Sequence, residues 1–209
     1  LEPDQVARCV RELGVGFMFA PAHHSAMKYA IGPRREMGVR TLFNILGPMT
    51  NPAGVNRMLV GVYTDALCRP VAEVLSRLGA EHVLVVHSYD GLDEISIAAS
   101  THVAEARNGT VTEFEFQPGD AGLTSGSLEG LEVSGVSDSL ELVRAALSGS
   151  PGDRAVRARQ LVALNAGAAL YVSGLQESIR DGVEQAMALM ESGAPWRNMQ
   201  SLADLTESF

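Results

Sequence analysis

Two clusters in this chain have the residue types and spacing to do chemistry. The first is FMFAPAHHSAMKYAIGPRREMGVRTLFNILGPMTNP, Phe17 to Pro52, which sets His23, His24, Lys28, Arg34, Arg35 and Arg40 among apolar and small residues. Cationic and titratable side chains at that density suit a core element poorly and suit a pocket for a small anion well. The second is VVHSYDGLDE, a run of β-formers that ends in three carboxylates at Asp90, Asp93 and Glu94. Hard cations such as Mg2+ take carboxylate oxygens and usually bridge to substrate phosphates. A basic and an acidic cluster on one chain point to an anionic substrate and a divalent metal.

Each cluster also has a plainer reading. His24 and Arg34 are separated by roughly three helical turns, so a helix would turn both toward one cleft. There Arg34 could hold a carboxylate through two parallel hydrogen bonds, a task its planar guanidinium suits better than an ammonium. Composition equally allows Arg34, Arg35 and Glu36 to form a solvated helix face with its own ion pair. The DGLDE run follows a strand directly, where ligands gather in open α/β sheets, and Gly91 lets the backbone turn sharply. The same loop also reads as a solvated turn. Gly47-Pro48 reads, by itself, as a helix stop, and His82 and His87 as packing or hydrogen-bonding residues beside a buried strand. No Ser/His/Asp or Cys/His arrangement stands out, so no catalytic side chain is assigned. Neither GxGxxG nor GxxxxGK[ST] occurs.

The elements that must position these residues follow from periodicity and breakers. PDQVARCVREL places Val6, Cys9, Val10 and Leu13 at helical spacing, with Pro3 in the first turn and Gly14 as the stop. Phe17 to Ala20 reads as a short buried strand, and His24 to Gly47 as short helices broken at Gly32-Pro33. Met58 to Tyr63 is a strand. Asp65 to Leu78 is a helix with a stripe at Leu67, Val71, Val74, Leu75 and Leu78. Val83 to Val86 is a strand buried on both faces. Thr101 to Ala106 and Thr110 to Phe116 form a hairpin around Asn108-Gly109. Helices follow over Ser137 to Leu147, Ala155 to Val172, Leu175 to Met190 and Pro195 to Leu205. The order predicts an α/β fold, a mostly parallel layered sheet flanked by helices.

The bulk composition narrows the function. With 46% apolar and 20% charged residues the chain is an ordinary globular sequence, long enough at 209 residues to bury a substantial core. A formal charge of −9 argues against a nucleic-acid partner, which needs a basic face. Cys9 and Cys68 lie in no metal-binding spacing and read as buried thiols in a reducing compartment. No signal-peptide pattern and no apolar run of bilayer length is read, so the expectation is a cytoplasmic protein without a membrane partner.

Taken together, FAPAHHSAMK, RREMGVRTLFNILGPMTNPA, VVHSYDGLDE and the later ALNAGAALYVSG resemble anthranilate phosphoribosyltransferase, in order and over nearly the whole chain. The strongest motifs are RT-x-FN-x-LGP-x-TNP, Arg40 to Pro52, and HxxDGLDE, His87 to Glu94. The resemblance implies transfer of a phosphoribosyl group from phosphoribosyl pyrophosphate to the amine of anthranilate, with Mg2+ required, in tryptophan biosynthesis. It implies Asp93 and Glu94 as metal ligands and Arg34 as the residue that binds the anthranilate carboxylate. His24, Gly47 and Pro48 would line the acceptor's path. The family pairs a small helical domain with an α/β domain and dimerises through the helical one. Residues 24–47 would contribute to the small domain, and 1–23 with 48–209 would form the α/β domain.

The chain departs from the family pattern at Gly32-Pro33, where Pro-Val is usual, at Ser88, where glycine is usual, and at Ser139, in place of an asparagine. The family's GTGGD turn and KHGNR loop, which hold pyrophosphate and ribose phosphate, do not occur. The chain begins at Leu1 in a helical pattern, so the expectation is the C-terminal part of a longer enzyme, inactive alone and prone to self-associate. The competing readings are a pyrimidine-nucleoside phosphorylase-like enzyme, distinguished by binding a pyrimidine rather than an aminobenzoate, and a non-catalytic nucleic-acid-binding relative, distinguished by a salt-dependent DNA titration.

Overall fold

The computed structural model describes residues 1–23 and 47–209. The expected helices over His24 to Gly47, and with them His24 and Arg34, fall almost wholly outside the described residues. The chain divides into two compact units, Leu1–Gly54 with Trp196–Phe209, and Val55–Pro195.

In the first unit, helix α1 (Pro3–Leu13) starts where the sequence placed it. A reciprocal Glu2/Gln5 capping box opens it, and Gly14 at φ 73° closes it by donating its N–H to the Val10 carbonyl. Val6 and Cys9 are its buried stripe. The strand expected from Phe17 to Ala20 does not form. No neighbouring strand among the described residues offers a ladder, Phe17 and Phe19 are 67% and 58% exposed, and the chain closes one helical turn, α2 (Ala20–His23), on the Phe19 carbonyl.

The second unit is built on a four-stranded sheet in the order β1 (Arg57–Gly61), β2 (His82–Ser88), β3 (Thr101–Arg107), β4 (Thr110–Phe116). Strands β1 and β2 run parallel, joined by the 3-10 turn Asp65–Leu67 and helix α3 (Cys68–Arg77). The other two pairings are antiparallel. The α/β layering is as expected, but the sheet is mixed rather than mostly parallel. For β3 and β4 the physical reason lies in the hairpin signal: Asn108 and Gly109 take φ 51° and 79°, the doubly left-handed turn that joins adjacent antiparallel strands in two residues.

Strand β2 is the centre of the core, with Val83 to Val86 essentially inaccessible. Side chains alternate across a strand. Leu84 and Val86 join the cluster formed with Leu164, Ala168 and Val172 of α5 (Asp153–Ser173) and Val183 and Ala186 of α6 (Ile179–Glu191). Val83 and Val85 face the other way, toward the layer of α3, whose buried stripe is Cys68, Val71, Ala72 and Leu75. Val74 and Leu78, expected in that stripe, stay exposed. Burial, then the nearby Asp65 and Glu113 carboxylates, push the Cys68 thiol up to about 12, consistent with an inert core cysteine.

Helices α4 (Val136–Leu147) and α7 (Ala194–Glu207) match the remaining expectations within a residue or two. Helix α6 starts four residues later than periodicity suggested, because Ser178 is its N-cap, accepting the Asp181 N–H at 3.1 Å. Among the described residues, no helix is long and apolar enough to cross a membrane.

Candidate functional site

The Asp93-Glu94 pair sits on the loop that leaves β2 beyond Ser88 and returns as β3 at Thr101. This is the carboxyl-terminal end of the parallel pair β1/β2, the place where sheets of this kind bind ligands. The loop is held at both ends. Gly91, at φ 96°, makes the first turn by donating its N–H to the Ser88 carbonyl, and Ser88 N–H donates to the Leu92 carbonyl at 2.9 Å. After Glu94 the chain dives inward, and Ile95, Ser96 and Ile97 are fully buried. The two acids therefore stand exposed between a tight turn and a buried anchor.

Asp90, the first carboxylate of the run, is exposed as well, but both its oxygens bond within the loop. Its Oδ1 accepts the Leu92 N–H at 3.3 Å and its Oδ2 accepts the Ser96 hydroxyl at 2.5 Å. It closes the loop as an Asx turn.

Two further residues hold the backbone beside the pair. Gly61, the last residue of β1, lies against the backbone of Asp93. Asn165, from the middle of α5, accepts the Ile95 N–H at 3.0 Å and donates to the Ile95 carbonyl at 3.0 Å and to that of Leu161 at 3.0 Å. Neither was read as a site residue from the sequence. Asn165 had a signal, a polar residue on an apolar helix stripe between Leu161, Leu164 and Ala168. Gly61 had none, since the residue that crowds it lies 32 positions away.

Partial burial, and after it the Asp93 charge, raise the Glu94 carboxyl above the ordinary carboxylate range, although the residue as a whole is exposed. Among the described residues no basic group offsets this. Two adjacent, mutually repelling carboxylate oxygen donors are of a type that suits a hard divalent ion. No cluster of three or more His, Cys, Asp or Glu with metal-binding placement occurs among the described residues.

His82 and His87 take structural roles, as read from the sequence. His82, buried, meets Glu105 Oε1 through Nε2 at 2.6 Å and packs edge-on to Tyr171, and His87 donates from Nδ1 to the Val62 carbonyl at 2.8 Å. Gly47 and Pro48 belong to the first unit and are half-buried, in a helical turn of which residues 47–49 are described. The chain leaves that turn at Thr50, three residues beyond the stop expected at Gly47, and Asn51 and Gly54 redirect it.

Residues 1–195 match the glycosyl transferase family, a/b domain. The chain belongs to this family. It is 58% identical to the anthranilate phosphoribosyltransferase of Marinobacter nauticus over 209 residues, all of this chain and 61% of that protein. It is 56% identical to the enzyme of the same name from Azotobacter vinelandii, over all of this chain and 60% of that protein. Among solved structures, the fold superposes on the anthranilate phosphoribosyltransferase of Thermus thermophilus with a TM-score of 0.88 and 36% identity, covering 98% of this chain and 60% of that one. The yeast enzyme in complex with phosphoribosyl pyrophosphate and Mg gives 0.86 at 24% identity, over all of this chain and 59% of that one, a likeness of fold. The chain thus spans about three fifths of the length of the curated relatives it matches.

Proposed function

We propose that this family member takes part in transfer of a phosphoribosyl group from phosphoribosyl pyrophosphate to anthranilate, giving N-(5-phosphoribosyl)anthranilate and pyrophosphate, a step of tryptophan biosynthesis. The observation that carries the reading is the exposed Asp93-Glu94 pair beyond the carboxyl ends of β1 and β2, in a chain 58% identical to an enzyme of that name.

Asp93 and Glu94 hold Mg2+, Arg34 pairs with the anthranilate carboxylate, and His24, Gly47 and Pro48 line the acceptor's path. Residues 24–47 contribute to a small helical domain through which the intact enzyme forms a homodimer. Its partners are small molecules, with no nucleic acid and no membrane, and its compartment is the cytoplasm.

In the reaction, the anthranilate amine bonds to the anomeric carbon of the ribose as the bond to pyrophosphate breaks, and the amine proton leaves to solvent. The amine is already a serviceable nucleophile, so no side chain is assigned as a general base. Positioning of the acceptor by Arg34 and its neighbours supplies much of the barrier reduction, up to roughly 7–11 kcal/mol in favourable cases. When bound, the metal supplies electrostatic stabilisation for charge developing on the departing pyrophosphate.

The test is a coupled assay of the intact protein for phosphoribosylanthranilate, with and without Mg2+. Phosphorolysis of a pyrimidine nucleoside, with no product from anthranilate, would replace this reading with that of a nucleoside phosphorylase.

A further inference from the structure

We infer that Asn165 is a positioning residue for the acidic pair: by clamping the peptide groups of Ile95 it fixes the backbone from which the Glu94 side chain leaves and so tunes the affinity for a divalent cation. The inference rests on the reading of Asp93 and Glu94 as cation ligands.

The argument runs through planar peptide units. The Ile95 N–H belongs to the peptide that joins Glu94 to Ile95, and its carbonyl to the peptide after it. Asn165 holds both, accepting the first and donating to the second, each at 3.0 Å. Its second amide hydrogen goes to the Leu161 carbonyl in its own helix, so the side chain's donors are spent and the amide cannot swing. On the other side of Glu94, the peptide joining it to Asp93 is wedged against Gly61. Glu94 therefore has a fixed peptide plane before it and another after it. The direction in which the Glu94 side chain leaves the backbone is thereby set, which leaves only its own rotamers to be ordered when it meets a cation.

The strand ladder does not do this work. The pairing of β2 with β3 stops at Ser88 and Thr101, and Ile95 lies between them in a fully buried stretch. Without Asn165, its N–H and carbonyl would lose these partners in a dry setting, which favours a local rearrangement of the loop. Residues that orient metal ligands from behind change metal affinity by about 10–100-fold when removed.

The experiment titrates Mn2+ by electron paramagnetic resonance into the intact enzyme and into its Asn165→Ala, Asn165→Asp and Asp93→Asn variants. Hydrogen exchange at the Ile95 and Val85 amides is recorded alongside. Asn165→Ala is expected to weaken Mn2+ binding about 10–100-fold, with faster exchange at Ile95 and unchanged protection at Val85. Asn165→Asp keeps the acceptor for the Ile95 N–H, removes both donors and adds a negative charge. A purely electrostatic influence would tighten Mn2+ binding in that variant, whereas loss of positioning weakens it, so the sign decides even if the alanine variant fails to fold. Weaker binding in Asp93→Asn with unchanged binding in both Asn165 variants overturns the inference alone. Unchanged binding in Asp93→Asn overturns the cation reading, and the inference with it.

Discussion

A β-carbon on Gly61 would lie 1.5 Å from the carbonyl oxygen of Asp93 and 2.6 Å from its carbonyl carbon. The end of β1 and the backbone of the acidic loop thus share a space that admits no side chain at all. Gly61 is needed for close approach and not for its φ. The glycine lets the loop lie down across the end of β1, with Asp93 and Glu94 outward and Ile95 to Ile97 in the core.

Gly61→Ala is the first prediction. The clash is backbone against backbone, so no flexible side chain can absorb it, and the loop must lift. Overpacking of this kind costs about 1–3 kcal/mol, and the upper end is expected here. Chemical denaturation would show the loss of stability, and Mn2+ titration a matching loss of cation affinity. An alanine variant with parental values for both would show that the loop tolerates displacement.

Asp93→Asn tests the metal role directly. It removes one anionic oxygen donor and leaves the turn's hydrogen bonds, made by Ser88, Asp90, Gly91 and Leu92, in place. Mg2+-dependent turnover of the intact enzyme is expected to fall more than tenfold, equivalent to about 1.4 kcal/mol, with little change in anthranilate affinity. A smaller fall at saturating Mg2+ would falsify the ligand assignment.

The Glu94 carboxyl supplies a pH test. Burial and Asp93 raise its folded value above the unfolded one. Its protonated form is therefore favoured in the fold, and the stability it contributes without metal is full below the unfolded value and lost as pH rises through the folded value. A bound cation reverses the preference, since it needs the carboxylate. Mg2+ should raise the melting temperature increasingly as pH climbs through the Glu94 titration. A Mg2+-induced rise that is flat across the acid range would remove Glu94 from the ligand set.

What sequence could reveal divides along the range of the interactions. The α1 helix, the Asn108-Gly109 hairpin and the buried β2 run are specified by residues within a few positions of each other, and they were legible. So was the acidic pair, because two adjacent carboxylates after a strand are a local pattern. Its supports were not. The contact of Gly61 with Asp93 and the bonds from Asn165 to Ile95 join residues 32 and 70 positions apart. Phe17 to Ala20 failed for the opposite reason. Its apolar run suits a strand, but strand formation is decided by a partner, and the described residues supply none.

Arg34→Ala addresses the acceptor. Loss of a charge-assisted pair to the anthranilate carboxylate should cost on the order of 1.5–3 kcal/mol. The loss should appear in KM for anthranilate and spare KM for phosphoribosyl pyrophosphate. Steady-state kinetics with each substrate varied in turn makes the comparison, and equal losses for both would give Arg34 a structural role instead.

The crossing of α5 and α6 carries the last prediction. A β-carbon on Gly182 would lie 2.3 Å from the Gly167 carbonyl oxygen, and one on Gly167 would lie 2.5 Å from the Val183 nitrogen. The two helices therefore touch backbone to backbone at these glycines, two residues along α5 from Asn165. Alanine at either position must push the helices apart, opening the packing of Leu164, Ala168 and Val183 beneath the sheet. Each substitution should lower stability by about 1–3 kcal/mol through overpacking, although alanine is intrinsically the better helix former by about 1 kcal/mol. The sign of the net effect decides which influence wins. Because α5 also carries Asn165, Gly167→Ala should weaken Mn2+ binding as well, whereas an exposed control on the same helix, Val162→Ala, should leave it unchanged. Thermal melts and Mn2+ titration of the three variants make the test, and a stabilised Gly167→Ala with parental cation affinity would mean that the crossing yields without disturbing the site.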